Sequence, residues 1–253
     1  MKDALKQMPQ ILRHIQKRGY LLMLDFDGVL APIVAQPHRA RMSERTRALL
    51  AKCAQSSPVA VISGRALTDV RKRARLSQLW YAGNHGAEWW MGKLRGREEL
   101  SSDSFTALHA ARDEFRKLSR HYRGVIVQDK ALTFSVHFRH LSAVRTPRFK
   151  TEVRRIAKDF FRTLDVAEGG EYIYNVRSRT GHTKAFAVKL ARRLAPKGAA
   201  PIFIGDDTTD EDAFEALPNG ITIRVGKHRG SAARYFVRTR KDVDIVLSVL
   251  ANS

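Results

Sequence analysis

The sequence predicts an α/β protein built on a parallel sheet, with an α+β segment inserted at about residues 100–178. Three observations carry this. Short apolar runs, Leu21–Leu24, Val59–Ile62, Leu79–Ala82 and Pro201–Ile204, each stop at a polar or glycine-rich loop and alternate with helical patterns. Parallel strands buried on both faces behave this way. The middle of the chain instead alternates apolar and polar residues, Thr133-Phe134-Ser135-Val136-His137-Phe138, which marks an antiparallel sheet with one polar face. After Thr180-Gly181-His182 the first pattern resumes, so residues 1–99 and 179–253 together form the core domain.

Met1 to Gly19 mixes Lys, Asp, Gln and Arg and lacks the apolar region of a signal peptide. Leu21 to Leu24 reads as a buried strand ending at Asp25-Phe26-Asp27-Gly28. Ser43 suits the N-cap of a helix with Leu49, Leu50 and Cys53 at core spacing. Pro58 precedes the strand Val59–Ile62, which stops at Ser63-Gly64-Arg65 before another helix. Leu79–Ala82 ends at Gly83-Asn84-His85-Gly86, and Trp89 and Trp90 with Gly92 read as hairpin packing. In the insertion, a helix from about Ser104 to His121 leads to strands Val125–Gln128 and Leu132–Arg139. A basic helix, about Thr151 to Arg162, precedes strands near Leu164–Ala167 and Tyr172–Val176. A helix from about Thr183 and the strand Pro201–Ile204 then lead to Gly205-Asp206-Asp207.

Composition bounds the function. The chain has 253 residues, 46 of them Lys or Arg against 25 Asp or Glu, for a net charge of +21. Apolar residues at 43% and charged residues at 28% exclude a disordered or collagen-like chain. No apolar run spans a bilayer, so no membrane segment is expected. The single cysteine, Cys53, excludes an internal disulfide and fits a reducing compartment, so a cytoplasmic location is expected. A pI near 10.7 raises nucleic acid as a partner. The dense clusters Arg71-Lys72-Arg73-Ala74-Arg75 and Arg238-Thr239-Arg240-Lys241 are not interleaved with aromatics and read as solvated helix faces. Nucleic acid is therefore not the expected partner, and a monomer is expected.

Asp25-Phe26-Asp27-Gly28 is the sharpest chemical signal. Two carboxylates two residues apart at a strand end can both face a crevice, where a phosphate and the two acids repel one another unless a divalent cation intervenes. With Mg2+, Asp25 can attack phosphorus while Asp27 exchanges protons with the leaving oxygen and with water. An acidic turn after a strand is the plain alternative. An EF-hand is excluded, because its sixth position would be Leu30 and its twelfth Gln36. Gly205-Asp206-Asp207, directly after a buried strand, supplies further carboxylates for a hard cation. Thr208 and Glu211 also match a capping box, which accounts for Asp210 and Asp212 at a helix start. Ser63 with following backbone N–H groups suits a phosphate cradle or an ordinary N-cap. Lys184 opposes the dipole at its helix start, so a nearby anion or simple surface placement explains it.

In chain order these residues resemble the four motifs of the haloacid-dehalogenase (HAD) phosphatase superfamily: Asp25-x-Asp27-Gly28, Ser63, Lys184 and Gly205-Asp206-Asp207. Leu24 to Ile33, Ile62-Ser63-Gly64-Arg65, Gly83-Asn84-His85-Gly86-Ala87-Glu88 and Gly205 to Glu211 further resemble trehalose-6-phosphate phosphatases. The resemblance implies a Rossmann-like HAD core and a C2B-like α/β cap closing over the site. It implies Asp25 as nucleophile, Asp27 as general acid and base, and Ser63 and Lys184 as phosphoryl holders. Mg2+ would be held by Asp25, the Asp27 carbonyl and Asp206, with Asp207 and Asp210 supporting. A small sugar phosphate is the implied substrate, met also by Gly64, Arg65, Asn84, His85 and Gly86. Within the cap the sugar-reading positions fall on Gln128, Lys130, Arg139 and Asn175.

Gln128 and Asn175 stand where that family usually has glutamates, and a neutral amide bonds a hydroxyl about half as strongly as a carboxylate does. Ala185 and Val29 replace the usual Gly and Thr without touching the chemistry. Sucrose-phosphate and glycosyl-phosphoglycerate phosphatases are the alternative readings. A basic nucleic-acid binder on this core rests on charge alone. A receiver domain needs about half the length and has no use for Asp27.

Overall fold

Eight apolar-faced helices and thirteen strands follow the alternation read from the sequence, in a computed structural model that describes residues 1–170 and 172–253. The first stretch contains β1 (Lys2–Asp3), α1 (Met8–Gln16), β2 (Tyr20–Leu24), α2 (Glu44–Ser56), β3 (Val59–Ile62), α3 (Leu67–Ala74), β4 (Trp80–Gly83), β5 (Glu88–Met91) and β6 (Leu94–Arg97). The middle contains α4 (Ser102–His121), β7 (Ile126–Asp129), β8 (Phe134–His137), α5 (Thr146–Phe160), β9 (Leu164–Gly169) and β10 (Ile173–Ser178). The last stretch contains α6 (Lys184–Leu194), β11 (Ala200–Gly205), α7 (Glu211–Glu215), β12 (Ile221–Val225), β13 (Tyr235–Val237) and α8 (Arg240–Leu250). Among the described residues no helix is long and apolar enough to cross a membrane.

The larger unit, Met1–Arg97 with His182–Ser253, is built on a nine-stranded sheet of order β1-β13-β12-β11-β2-β3-β4-β5-β6. Neighbours are parallel from β1 through β4, and β5 and β6 add an antiparallel hairpin. All five residues of β2 are buried, and they alternate between two cores as strand geometry requires. Leu22 and Leu24 pack with α1, α2, α3 and α8 through Ile11, Leu50, Val70 and Leu247. Leu21 and Met23 pack on the other face with Ala187, Val188 and Phe214 of α6 and α7. The result is three layers, helix on sheet on helix, with a mixed rather than wholly parallel sheet.

Local signals set the helix starts. Ser43 caps α2 by accepting from the Thr46 amide, and Thr183 caps α6 by accepting from the Ala185 amide. The amino-terminal nineteen residues, read from sequence only as a polar mixture, include α1, whose Met8, Ile11 and Ile15 share one buried face. The capping box expected on Thr208 and Glu211 sits one residue earlier: Asp207 caps the turn Thr208–Asp210, and Asp210 returns the bond. Trp89 packs against Phe186, and the Trp90 ring lies between the Arg71 and Arg95 guanidinium groups, the hairpin packing expected.

The smaller unit, Glu98–Gly181, is a four-stranded antiparallel sheet of order β7-β8-β10-β9 with α4 and α5 on its apolar face. Phe115, Phe134, Val136, Phe138, Phe149 and Val176 form its core, while Ser135 and His137 alternate onto the other face. Helix α5 begins at Thr146, five residues before the expected Thr151, because Pro147 fits its first turn without a missing hydrogen bond.

Candidate active site

Strand β2 ends at Leu24, which pairs with Ile204 of β11 and Val61 of β3. Asp25, Gly205-Asp206 and Ser63 therefore leave the carboxyl ends of three adjacent parallel strands, spaced about 4.8 Å apart. Lys184 opens α6 with only 2% of its surface exposed. Its Nζ lies 3.1 Å from Asp25 Oδ2 and 2.7 Å from Asp210 Oδ1. The other oxygen of Asp210 accepts the amides of Asp206 at 2.9 Å and Asp207 at 3.0 Å. Asp210 thus ties the lysine to the loop that carries Asp206. Asp207 is engaged locally, its Oδ1 accepting from the Thr208 hydroxyl at 2.9 Å.

Electrostatics follows from this crowding. Burial pushes the Asp25 carboxyl up to about 7, with Lys184 opposing and Asp210 and Asp27 adding. Burial, Asp25, Asp210 and Asp207 likewise hold Asp206 well above the ordinary carboxylate range. Burial alone lowers the Lys184 amine, but Asp210 and Asp25 outweigh it and keep it firmly charged.

Oxygen atoms of Asp25, Asp206 and Asp210 all lie within 4.8 Å of one another. Oδ1 of Asp25 and Oδ1 of Asp206 are buried without a hydrogen-bond partner. Gly28, at φ +76°, admits this arrangement, since a Cβ there would fall 1.9 Å from Asp206 Oδ2. Crowded carboxylates with unsatisfied buried oxygens fit a hard divalent cation such as Mg2+. Both Asp210 oxygens already serve Lys184 and two amides, so its part is to hold the loop.

Asp27 is gripped on both oxygens. Arg65 Nε donates to its Oδ2 at 2.6 Å and Nη2 donates to its Oδ1 at 2.7 Å. The remaining Arg65 donors reach Asp69 Oδ2 at 2.8 Å and the Pro37 carbonyl at 2.8 Å. Arg65, expected at the substrate, directs its guanidinium instead at the protein's own carboxylates. Asp69, on the first turn of α3, was not singled out from sequence; its place four residues after Arg65 was the available signal.

The remaining core-domain residues form one joined pair of loops. Ser63 does not cap α3, which starts four residues later; its Oγ accepts the Arg65 amide at 3.2 Å. Asn84 and His85 adopt left-handed backbone, φ +49° and +59°. Their amides donate to the Arg65 carbonyl at 2.7 Å and the Ser63 carbonyl at 3.0 Å. Asn84 Nδ2 also donates to Glu88 at 2.7 Å. The His85 ring covers Gly64, where a Cβ would meet it at 2.5 Å, and a Cβ on Gly86 would fall 2.3 Å from the Thr183 carbonyl oxygen.

In the smaller unit, Gln128 and Asn175 each face Ser135 across the sheet. The Ser135 hydroxyl donates to Asn175 Oδ1 at 2.7 Å and accepts from Lys130 Nζ at 2.6 Å. His137 Nε2 lies 2.9 Å from Gln128 Oε1. Gln128, Lys130 and Asn175 are therefore one polar row, centred on Ser135, which sequence reading placed on the polar face without a role. The Arg139 guanidinium lies over the Tyr172 ring at 5.2 Å.

The three-layer core with acids at adjacent strand ends is the architecture of HAD-superfamily phosphatases, to whose structures the chain is similar. The solved carboxyl-terminal domain of Candida albicans trehalose-6-phosphate phosphatase superposes with a TM-score of 0.86 at 21% identity, covering 96% of each chain. The family model for trehalose-phosphatase matches residues 23–241, and the chain belongs to that family. Trehalose 6-phosphate phosphatase RA3 of Zea mays is 30% identical over 99% of this chain and 74% of its own length. An uncharacterized glycosyl hydrolase of Mycobacterium tuberculosis is 34% identical over 98% of this chain, which spans 19% of that protein.

Proposed function

We propose that the chain is a phosphoric monoester hydrolase that removes phosphate from trehalose 6-phosphate by way of Asp25. One observation carries this reading: a buried Asp25 with an unpartnered Oδ1, held beside a buried, charged Lys184. An Asp25 oxygen attacks phosphorus as the bond to the sugar oxygen breaks, and Asp27 gives that oxygen a proton. Asp27 then takes a proton from water, whose oxygen attacks the aspartyl phosphate and frees Asp25 as a carboxylate. Lys184 and Ser63 hold the phosphoryl oxygens, and Arg65 keeps Asp27 oriented. When bound, Mg2+ neutralises charge on the phosphoryl group; Asp25, the Asp27 carbonyl and Asp206 would hold it, with Asp207 and Asp210 supporting.

The smaller unit is, on this reading, the C2B-like cap, in which Gln128, Lys130, Arg139 and Asn175 meet the sugar. Gly64, Asn84, His85 and Gly86 shape the substrate side of the core domain. The amides at 128 and 175 support a second reading, a sugar phosphate more anionic than trehalose 6-phosphate, of the glycosyl-phosphoglycerate or sucrose-phosphate kind. Free, buried Cys53 accords with a cytoplasmic setting. Phosphate release with Mg2+ from trehalose 6-phosphate, sucrose 6-phosphate, glucose 6-phosphate, a glycosyl phosphoglycerate and a nucleotide tests the reading. Trehalose 6-phosphate should lead by orders of magnitude. A different leading sugar moves the substrate and keeps the chemistry, and silence across the panel overturns both.

A further inference from the structure

The larger unit has a cavity of about 440 Å3 lined by α1 and by the starts of β12 and β13. Ile221 and Tyr235 are the first residues of those strands, which run parallel to β11 and β2. Asp25 and Asp206 follow the opposite, carboxyl ends. A five-residue strand spans about 16 Å, so the cavity lies across the sheet's length from the acidic site.

Its chemistry is one-sided. Arg13 and Arg234 line it, His14 and Asn219 add further donors, and among the described residues no Asp or Glu lines it. Among the described residues neither guanidinium has an acidic partner. Their backbones are fixed even though the side chains are exposed. The Arg234 amide donates to Thr222 Oγ1 at 2.9 Å and its carbonyl accepts the Lys2 amide at 2.9 Å. Arg13 is anchored through its neighbours Ile11 and Ile15, which are both buried in the core. Ile11 and Ile221 line the cavity from the core, at 2% and 6% exposed, so its apolar contact is the half-buried Tyr235. Two arginines lining one cavity favour a phosphate, which a guanidinium can grip through two parallel bonds. The volume falls in the range of small-molecule pockets, roughly 300–1,000 Å3, and exceeds what a bare anion fills.

We propose that this cavity is a second ligand site, taking a small phosphate monoester whose dianion sits between Arg13 and Arg234 and whose organic body rests against Tyr235. It is separate from the Asp25 site and does not depend on the reading of that site.

Calorimetric titration of the whole chain with phenylphosphonate, a dianion with an apolar body and no hydrolysable bond, tests it. The variants are R13A/R234A and, as a charge-matched control, R192A/R193A on the exposed side of α6. One binding equivalent should weaken at least tenfold in R13A/R234A and persist in the control, whatever Asp25 binds. Thermal unfolding of R13A/R234A should match the parent chain. Absence of binding, unchanged isotherms in R13A/R234A, or equal losses in both double variants would each overturn the proposal. The last result would reduce it to general surface charge.

Discussion

Asp210→Asn isolates the bond network that holds the acidic site. The replacement has the same shape, yet Asp210 accepts on both oxygens: Lys184 on one, the Asp206 and Asp207 amides on the other. An asparagine must turn its NH2 toward one of those donor groups, so either orientation sets donor against donor. Breaking a buried ion pair on one side costs about 3–5 kcal/mol. Lys184 keeps Asp25 at 3.1 Å, which places the loss at the lower end, about 3 kcal/mol. At roughly 2–4 °C per kcal/mol for a domain of this size, the melting temperature should fall about 6–12 °C. Phosphate release should fall at least 100-fold, because the loop bearing Asp206 loses its anchor. Differential scanning calorimetry and a phosphate-release assay read the two effects. A melting temperature within 1 °C of the parent would refute the reasoning, because no isosteric change can spare both sets of donors.

Three further outcomes follow from the same geometry. Arg65→Ala removes both bonds that orient Asp27, so kcat should fall about 10–100-fold while KM changes little; an unchanged kcat would separate Arg65 from the chemistry. Asp25 is raised to about 7 and Asp206 is raised as well, so the stability each contributes is present in acid and lost as pH rises, for Asp25 through about 7. Mg2+ should therefore raise the melting temperature more at pH 8 than at pH 5.5, and equal shifts would contradict the crowding argument. Cys53 is fully buried and its thiol is pushed up to about 11 by burial, so a disulfide reagent at pH 8 should label it only after unfolding. Rapid labelling of the folded chain would show that its side of the core opens.

The strand-end residues were legible because buried strands stop abruptly where chemistry begins: Leu24 at Asp25, Ile62 at Ser63, Gly205 at Asp206. The insertion was legible for a related reason, since the period-two pattern at Phe134-Ser135-Val136-His137 differs from the solid apolar runs around it. What sequence left out is long-range pairing. Arg65 meets Asp27 across 38 positions, and nothing local distinguishes a guanidinium aimed at a ligand from one aimed at an acid. Ser135 gained its place between Lys130 and Asn175 only through strand register. Thr208 and Glu211 satisfied a capping pattern that Asp207 and Asp210 satisfy better. Asp207 can accept from the Thr208 amide itself, and the buried Lys184 draws Asp210 inward. Arg13 and Arg234 share a cavity although they lie 221 positions apart, a proximity only the fold creates.

The central claim is that Asp25 is the group to which phosphate is transferred. Its most direct test is phosphate release from trehalose 6-phosphate with Mg2+, measured for the parent chain and for Asp25→Asn, beside calorimetry of both. Turnover by the parent and none by a variant that melts at least as high as the parent is the expected result, since the substitution removes a buried, repelled charge. A folded Asp25→Asn variant with full turnover would contradict the account.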